Sequence, residues 1–182
     1  MQARVIRLLF VCTASTAAHR RAAFPADEPL ERRGIDDAKK LKLSRPDNAV
    51  VSPALRTRQT AELLQLNATV EPLLREVDYG SWTGKTLKEL HPAVLSEWLA
   101  DPTSTPHGGE SIAALFERTR AFMDDLNEGT TVAVTHASVI RAAVAIALSA
   151  PMGSFWKTDI GPLARVTLHG DGSGWRLRSI LD

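Results

Sequence analysis

Three apolar runs in this chain end in polar residues suited to chemistry. The first is Leu9-Phe10-Val11-Cys12-Thr13-Ala14-Ser15-Thr16, a buried-looking run closed by a lone cysteine and small hydroxyl residues. A thiol delivered at the end of a strand is a candidate nucleophile if a nearby cation lowers its pKa. The second is "VVSPALRTR", which supplies Ser52, Arg56 and Arg58. The third is "VAVTH", which supplies Thr135 and His136. An imidazole, a guanidinium and the unpaired amides of a helix start would together bind an anion, with phosphate the obvious choice. The bland alternatives are a surface arginine at Arg56 and an inert histidine at His136. Glu76 in "LREVDYG" follows a short apolar stretch. It could protonate a leaving group, or simply pair with Arg75 or another basic neighbour. "PHGGESI" joins a flexible turn to a helix start. Glu110 there would suit the helix dipole, and Gly109 would let backbone amides approach a ligand.

These residues need elements to hold them. "RVIRLLFVC" reads as a buried strand, "DNAVVS" as a second and "TTVAVTH" as a third. "ERRGIDDAKKLKL" reads as a short charged helix. "PALRTRQTAELLQL" reads as a helix with Ser52 as N-cap and Pro53 at its first position. "TVEPLLREVDYGSWTG" holds a short strand and an irregular loop. "LKELHPAVLSEWLAD" is helical with a break at Pro92. "ESIAALFERTRAFMDDLNE" is a long amphipathic helix ended by Gly129, and "ASVIRAAVAIALS" an apolar one. "LARVTLHGDGSGWRLRSIL" reads as two strands around a glycine-rich turn. Strands alternating with helices imply an α/β domain with a mostly parallel sheet. Ligands of such sheets sit beyond the carboxyl ends of the strands, where all three polar clusters fall.

The chain's bulk properties narrow the function classes. With 182 residues a single domain over 1–182 is expected. The net charge is +1, from 22 basic and 21 acidic residues without a polybasic run, so neither nucleic acid nor an anionic membrane is an expected partner. A single cysteine allows no internal disulfide and fits a reducing, cytoplasmic setting. Arg7 interrupts the N-terminal apolar run before it reaches signal-peptide length. No cluster has metal-ligand spacing and no nucleotide-binding glycine motif appears, so no metal or cofactor is expected. Trp82, Trp98, Trp156 and Trp175 are expected to pack, and His107 to be a loop residue.

"LLFVCT" alone resembles the opening of low-molecular-weight tyrosine phosphatases. That family places its phosphate-binding arginine six positions after the cysteine, where this chain has Ala18. The rest of the chain resembles the histidine phosphatase superfamily, the phosphoglycerate mutase-like proteins, almost end to end. The early loop and helix are "FPADEPLERRG". "VVSPALRTRQTAELL" places Arg56 at the phosphate-binding arginine. "LREVDYGSWTGKTLKEL" places Glu76 at the proton donor. "PHGGESIAALFERTRAFM" supplies the substrate side with Gly109 and Glu110. "VAVTHASVIRAAVA" places His136 at the second histidine, followed by Ala137. The resemblance implies a three-layer α/β/α sandwich with a mainly parallel sheet and leaves room for a homodimer. It also implies that the loop from Leu87 to Ser111 shapes substrate choice.

The family opens with Arg-His-Gly, usually followed by Glu-Thr. The aligned positions here are Cys12, Thr13, Ala14, Ser15 and Thr16, so only the last agrees. The resemblance implies an imidazole that takes the phosphoryl group, and Thr13 cannot replace it easily. An alkyl hydroxyl needs a base to attack, and its phosphate ester hydrolyses slowly. Losing a nucleophile costs on the order of 10⁶ in turnover. The expected function is therefore binding of phosphate or a phosphorylated small molecule, with Ser15 and Thr16 beside Arg56 and His136. The role would be binding or regulation rather than turnover. The alternative is an active phosphomonoesterase using His19, Cys12 or a water activated by Glu76.

Overall fold

A computed structural model describes residues 5–182, so Arg4 of the first expected strand lies outside the described residues. Six strands form one sheet: β1 (Ile6–Cys12), β2 (Asn48–Val51), β3 (Thr69–Val70), β4 (Gly129–Thr135), β5 (Arg165–Gly170) and β6 (Trp175–Leu181). Their order is β3-β2-β4-β1-β5-β6. β3, β2, β4 and β1 pair in parallel, while β5 runs antiparallel to β1 and to β6. The α/β class with a mainly parallel sheet is therefore realised. The antiparallel β5–β6 hairpin follows from its short glycine-rich connection, since only a longer crossover could return a strand in parallel.

The central strands are apolar on both faces because helices cover both. Along β1, Leu8, Phe10 and Cys12 face one side, while Leu9 and Val11 face the other. The first side packs on α5 (Ile112–Asp124) and α6 (Ala137–Ala147). The second packs on α3 (Leu55–Leu63), with α2 (Arg32–Ala38) beyond it. Leu8 and Phe10 have no exposed surface. Burying such side chains stabilises by about 1.5–3 kcal/mol each. α5 is amphipathic: Ile112, Leu115, Phe116, Thr119, Phe122 and Met123 are buried at spacings of three and four. α6 is buried nearly all round, and Arg141 is its only charged residue.

Four local expectations need correction. α3 begins at Leu55 with Ala54 as its N-cap, two residues later than Pro53 suggested. Ser52 is released for another contact described below. α5 ends at Asp124, and Gly129 instead opens β4 at φ 105° with its position set by Asp47. The charged helix stops at Ala38, so the lysine-rich continuation "KKLKL" is not helical. A short α1 (Ala17–Arg20) stands where no helix was expected, capped by the Thr16 hydroxyl accepting from the His19 N–H. α4 (Pro92–Ala100) does begin at Pro92, after a separate 3₁₀ turn at Leu87–Glu89. No helix among the described residues is long and apolar enough to cross a membrane.

Candidate functional site

β2, β4 and β1 are adjacent and parallel, so their carboxyl ends lie side by side. Cys12, Ser52 and His136 all emerge there, together with Arg56 on the first turn of α3. Glu76 arrives on the loop after β3. The Thr135 hydroxyl donates to the Leu74 carbonyl, and Arg118 Nη1 donates to the Leu73 carbonyl, so two buried side chains fix that loop. Glu110 accepts two bonds from Arg118 and one from Arg75. Glu76 does pair with a basic residue, but with Arg56 rather than Arg75, which pairs with Glu110.

The polar groups behind the cavity make a closed network. Arg56 Nη2 lies 3.1 Å from His136 Nδ1 and 3.4 Å from Glu76 Oε2. Because a guanidinium only donates, Nδ1 must accept, which assigns the ring proton to Nε2. Nε2 then donates to Ser52 Oγ at 2.7 Å. Arg56 Nη1 donates to the Ala26 carbonyl at 2.7 Å. Glu76 Oε1 accepts from the Ser138 hydroxyl and from the Val77 N–H. His136 and Ser52 have no exposed surface, and Arg56 only 3%. Burial drives the His136 imidazole down to about 4, so it is neutral at pH 7. Burial works against the Glu76 charge. The electropositive surroundings of His136 and Arg56, with the Ser138 and Val77 bonds, outweigh it and hold the carboxyl below its ordinary value.

In front of this network lies a cavity of about 400 Å³. Cys12, Thr13, Ala14 and Thr16 line it from the β1 end, Arg56 and Glu76 from below, and Ala137, Ser138 and Arg141 from α6. Tyr79, Trp98, Phe155 and Trp156 form an apolar side. Burial pushes the Cys12 thiol up to about 12, against the lowering that a cation-assisted thiolate would need. The Thr13 hydroxyl lies 3.4 Å from that of Thr60, and no side chain that could act as a base bonds to it among the described residues. His19 is exposed and lines the cavity at its rim.

Several expected site residues lie elsewhere. Ser15 turns away from the cavity and donates to Glu31 at 2.7 Å. The Thr16 hydroxyl faces the cavity edge but is committed to Glu28 and to capping α1. Gly109 and Glu110 do not line the cavity. A Cβ on Gly109 would fall 2.0 Å from the Asp78 carbonyl, so its bareness serves loop-to-loop packing. Glu110 serves the Arg118 pair, and Ser111, not Glu110, caps α5. Arg58 is exposed. His136 sits behind the cavity wall rather than in it. His107 does lie on a loop, but it is buried in an aromatic cluster, 5.0 Å from the Trp82 ring. The tryptophans do pack, but Trp98 and Trp156, 4.6 Å apart, also face the cavity. Ser138 and Arg141 escaped sequence reading, and Ser52 was read at a polar strand end and as a helix cap rather than as the partner of His136. The i, i+3 spacing of Ser138 and Arg141 puts both on one helix face, but nothing in the sequence says what that face meets.

The chain matches the histidine phosphatase superfamily (branch 1) over residues 8–182. It is 31% identical over 159 residues to phosphoserine phosphatase 1 of Hydrogenobacter thermophilus, covering 79% of this chain and 75% of that one. Phosphoglycerate mutase from Thermus thermophilus superposes with a TM-score of 0.81 at 28% identity, covering 97% of this chain and 98% of its own. The mycobacterial glucosyl-3-phosphoglycerate phosphatase superposes with a TM-score of 0.81 at 25% identity, covering 96% and 97%. With the sheet order, the cavity at the carboxyl ends of β1, β2 and β4, and a match across nearly all of its length, this chain belongs to the histidine phosphatase superfamily.

Proposed function

We propose that the cavity binds the phosphate of a phosphorylated small molecule and that the chain has lost the phosphohistidine route. The observation that carries this reading is the pair at the end of β1. A threonine without a base partner and a buried thiol face the cavity where the family has histidine and arginine. The rest of the polar network is intact beside them. The relatives' names, phosphoserine phosphatase and glucosyl-3-phosphoglycerate phosphatase, support a phosphomonoester as the ligand. Cys12 is a poor replacement nucleophile, since a thiol with a pKa near 12 supplies almost no thiolate at pH 7. His19 would have to swing inward from the rim.

A second reading has one observation in its favour. Glu76 faces the cavity and is held ionised. It could take a proton from a water whose oxygen bonds to phosphorus, and return that proton to the leaving oxygen as the ester P–O bond breaks and the alcohol departs. The deciding experiment is steady-state hydrolysis of an aryl phosphate by wild type, His136→Ala and the double variant Cys12→Arg/Thr13→His. A silent wild type with activity gained by the double variant supports loss of the nucleophile alone. Wild-type turnover that disappears in Glu76→Gln supports the water route and overturns the first reading.

A further inference from the structure

The two guanidinium groups of the cavity differ in how far their donors are used. Arg56 is engaged three times, by the Ala26 carbonyl, His136 Nδ1 and Glu76 Oε2. Arg141 has one side-chain contact, 3.4 Å to the carboxylate of Asp159, which is fully exposed to solvent. A long pair with a solvated partner contributes little. The Nε of Arg141 is buried without a hydrogen-bond partner among the described residues. A buried donor in that state costs about 1–3 kcal/mol unless something satisfies it. The guanidinium carbon lies 5.8 Å from the centre of the Phe155 ring, which fixes its stem against the apolar wall. Arg141 therefore brings unspent donors to the cavity that Cys12 and Thr13 line from the end of β1.

We infer that Arg141 is the principal phosphate anchor of this cavity, and that the ligand is a phosphomonoester with an aromatic or otherwise apolar body. The inference rests on the proposed phosphomonoester site and adds which residue grips the phosphate and what the ester carries. The neighbouring wall gives the second half. Tyr79, Trp98 and Trp156 line the same space, and Trp98 and Trp156 meet edge to face. Such rings favour a flat apolar group over a polyol. A dianion on Arg141 would lie close to Ser138 on the same helix face, and the Ser138 hydroxyl is already oriented by Glu76. Arg56 can then remain with Glu76 and His136, so binding does not have to dismantle the network.

The test is calorimetric titration of the full chain with phenyl phosphate, inorganic phosphate and glycerol 3-phosphate. Wild type, Arg141→Gln, Arg141→Lys and Trp156→Ala are compared. The expected result is phenyl phosphate binding at least tenfold tighter than glycerol 3-phosphate in wild type. Arg141→Gln should lose tenfold or more for all three ligands, Arg141→Lys should recover part of it, and Trp156→Ala should weaken phenyl phosphate alone. Circular dichroism melting identifies a variant that fails to fold, and Arg141→Lys then carries the comparison. Binding unchanged within twofold in Arg141→Gln overturns the anchor while leaving the site reading intact. Equal affinity for phenyl phosphate and glycerol 3-phosphate overturns the assigned ester class. Absence of phosphate binding in wild type overturns both this inference and the proposed site.

Discussion

The end of β1 and the ends of β2 and β4 sit side by side over one cavity, yet they are organised differently. At β2 and β4 every polar side chain has a partner: Ser52 with His136, His136 with Arg56, Arg56 with Glu76, and Glu76 with Ser138. At β1 the cavity meets a thiol raised by burial and a threonine hydroxyl with only long contacts. The retained half is satisfied from within and needs neither a nucleophile nor a ligand to stay in place. Its geometry is a property of folding stability, whereas the β1 end is free of that constraint. An intact network behind a family pocket is therefore poor evidence of turnover.

The largest expected effect tests whether the β1 end alone limits chemistry. Cys12→Arg/Thr13→His should raise aryl phosphate hydrolysis by about 10³ or more over wild type, given the cost of losing a nucleophile. Less than a tenfold change would show that the retained half is also impaired, and the contrast between the halves would fail. Next comes stability. His136→Ala removes the buried partner of the Ser52 hydroxyl and the nearer of two acceptors of Arg56 Nη2, and should cost about 2–4 kcal/mol in urea unfolding. Thr13→Ala should cost well under half of that. Similar losses at the two positions would erase the distinction.

Much of the fold could be read in the sequence because β1 and β4 carry buried apolar runs, β5 and β6 flank a glycine-rich turn, and α5 carries an unambiguous spacing of three and four. Arg56, Glu76 and the site of the missing histidine could be read through family resemblance, each lying in a local motif. Ser138 and Arg141 could not, because an isolated serine and arginine on an apolar helix give no local signal of what they face. Gly109 and Glu110 misled for the opposite reason. A glycine pair before a helix suggests ligand access, but here it reflects two backbones in contact. The Ser52 assignment failed because Pro53 does not force a helix to begin with it, and the hydroxyl bonds more strongly to a buried imidazole.

The pH profile sharpens the same contrast. His136 is held neutral down to about pH 4, while an unfolded histidine takes up a proton near pH 6.5. Between these values the unfolded state binds more protons, so stability falls as pH drops from about 6.5 to 4, by on the order of 3 kcal/mol. The depressed Glu76 carboxyl acts in the same direction, its contribution being lost as pH falls below the usual carboxylate range and through its folded value. His136→Gln should flatten the upper part of this slope in urea midpoints measured from pH 7 to pH 4.5. The smallest effect belongs to the other half. With its pKa near 12, about 10⁻⁴ of Cys12 is thiolate at pH 8, so native protein should resist iodoacetamide and react fully only in denaturant. Rapid labelling of the native chain would show an open and activated β1 end.

The seam between the loops at 78–81 and 107–110 has a consequence for motion. The Ser81 N–H donates to the His107 carbonyl at 2.9 Å, and the Glu110 N–H to the Asp78 carbonyl at 2.8 Å. Gly80 and Gly109 leave no space for a Cβ between the two backbones. The loops must therefore breathe as one unit, and the amide protons of Ser81 and Glu110 should exchange with deuterium at matched rates. An alanine at either glycine would pry the seam apart and release both protons together. The segment that follows Glu76 is thus braced by backbone hydrogen bonds, while His19 of α1 and Phe155 and Trp156 of the 3₁₀ turn at Met152–Lys157 line the cavity from separate elements.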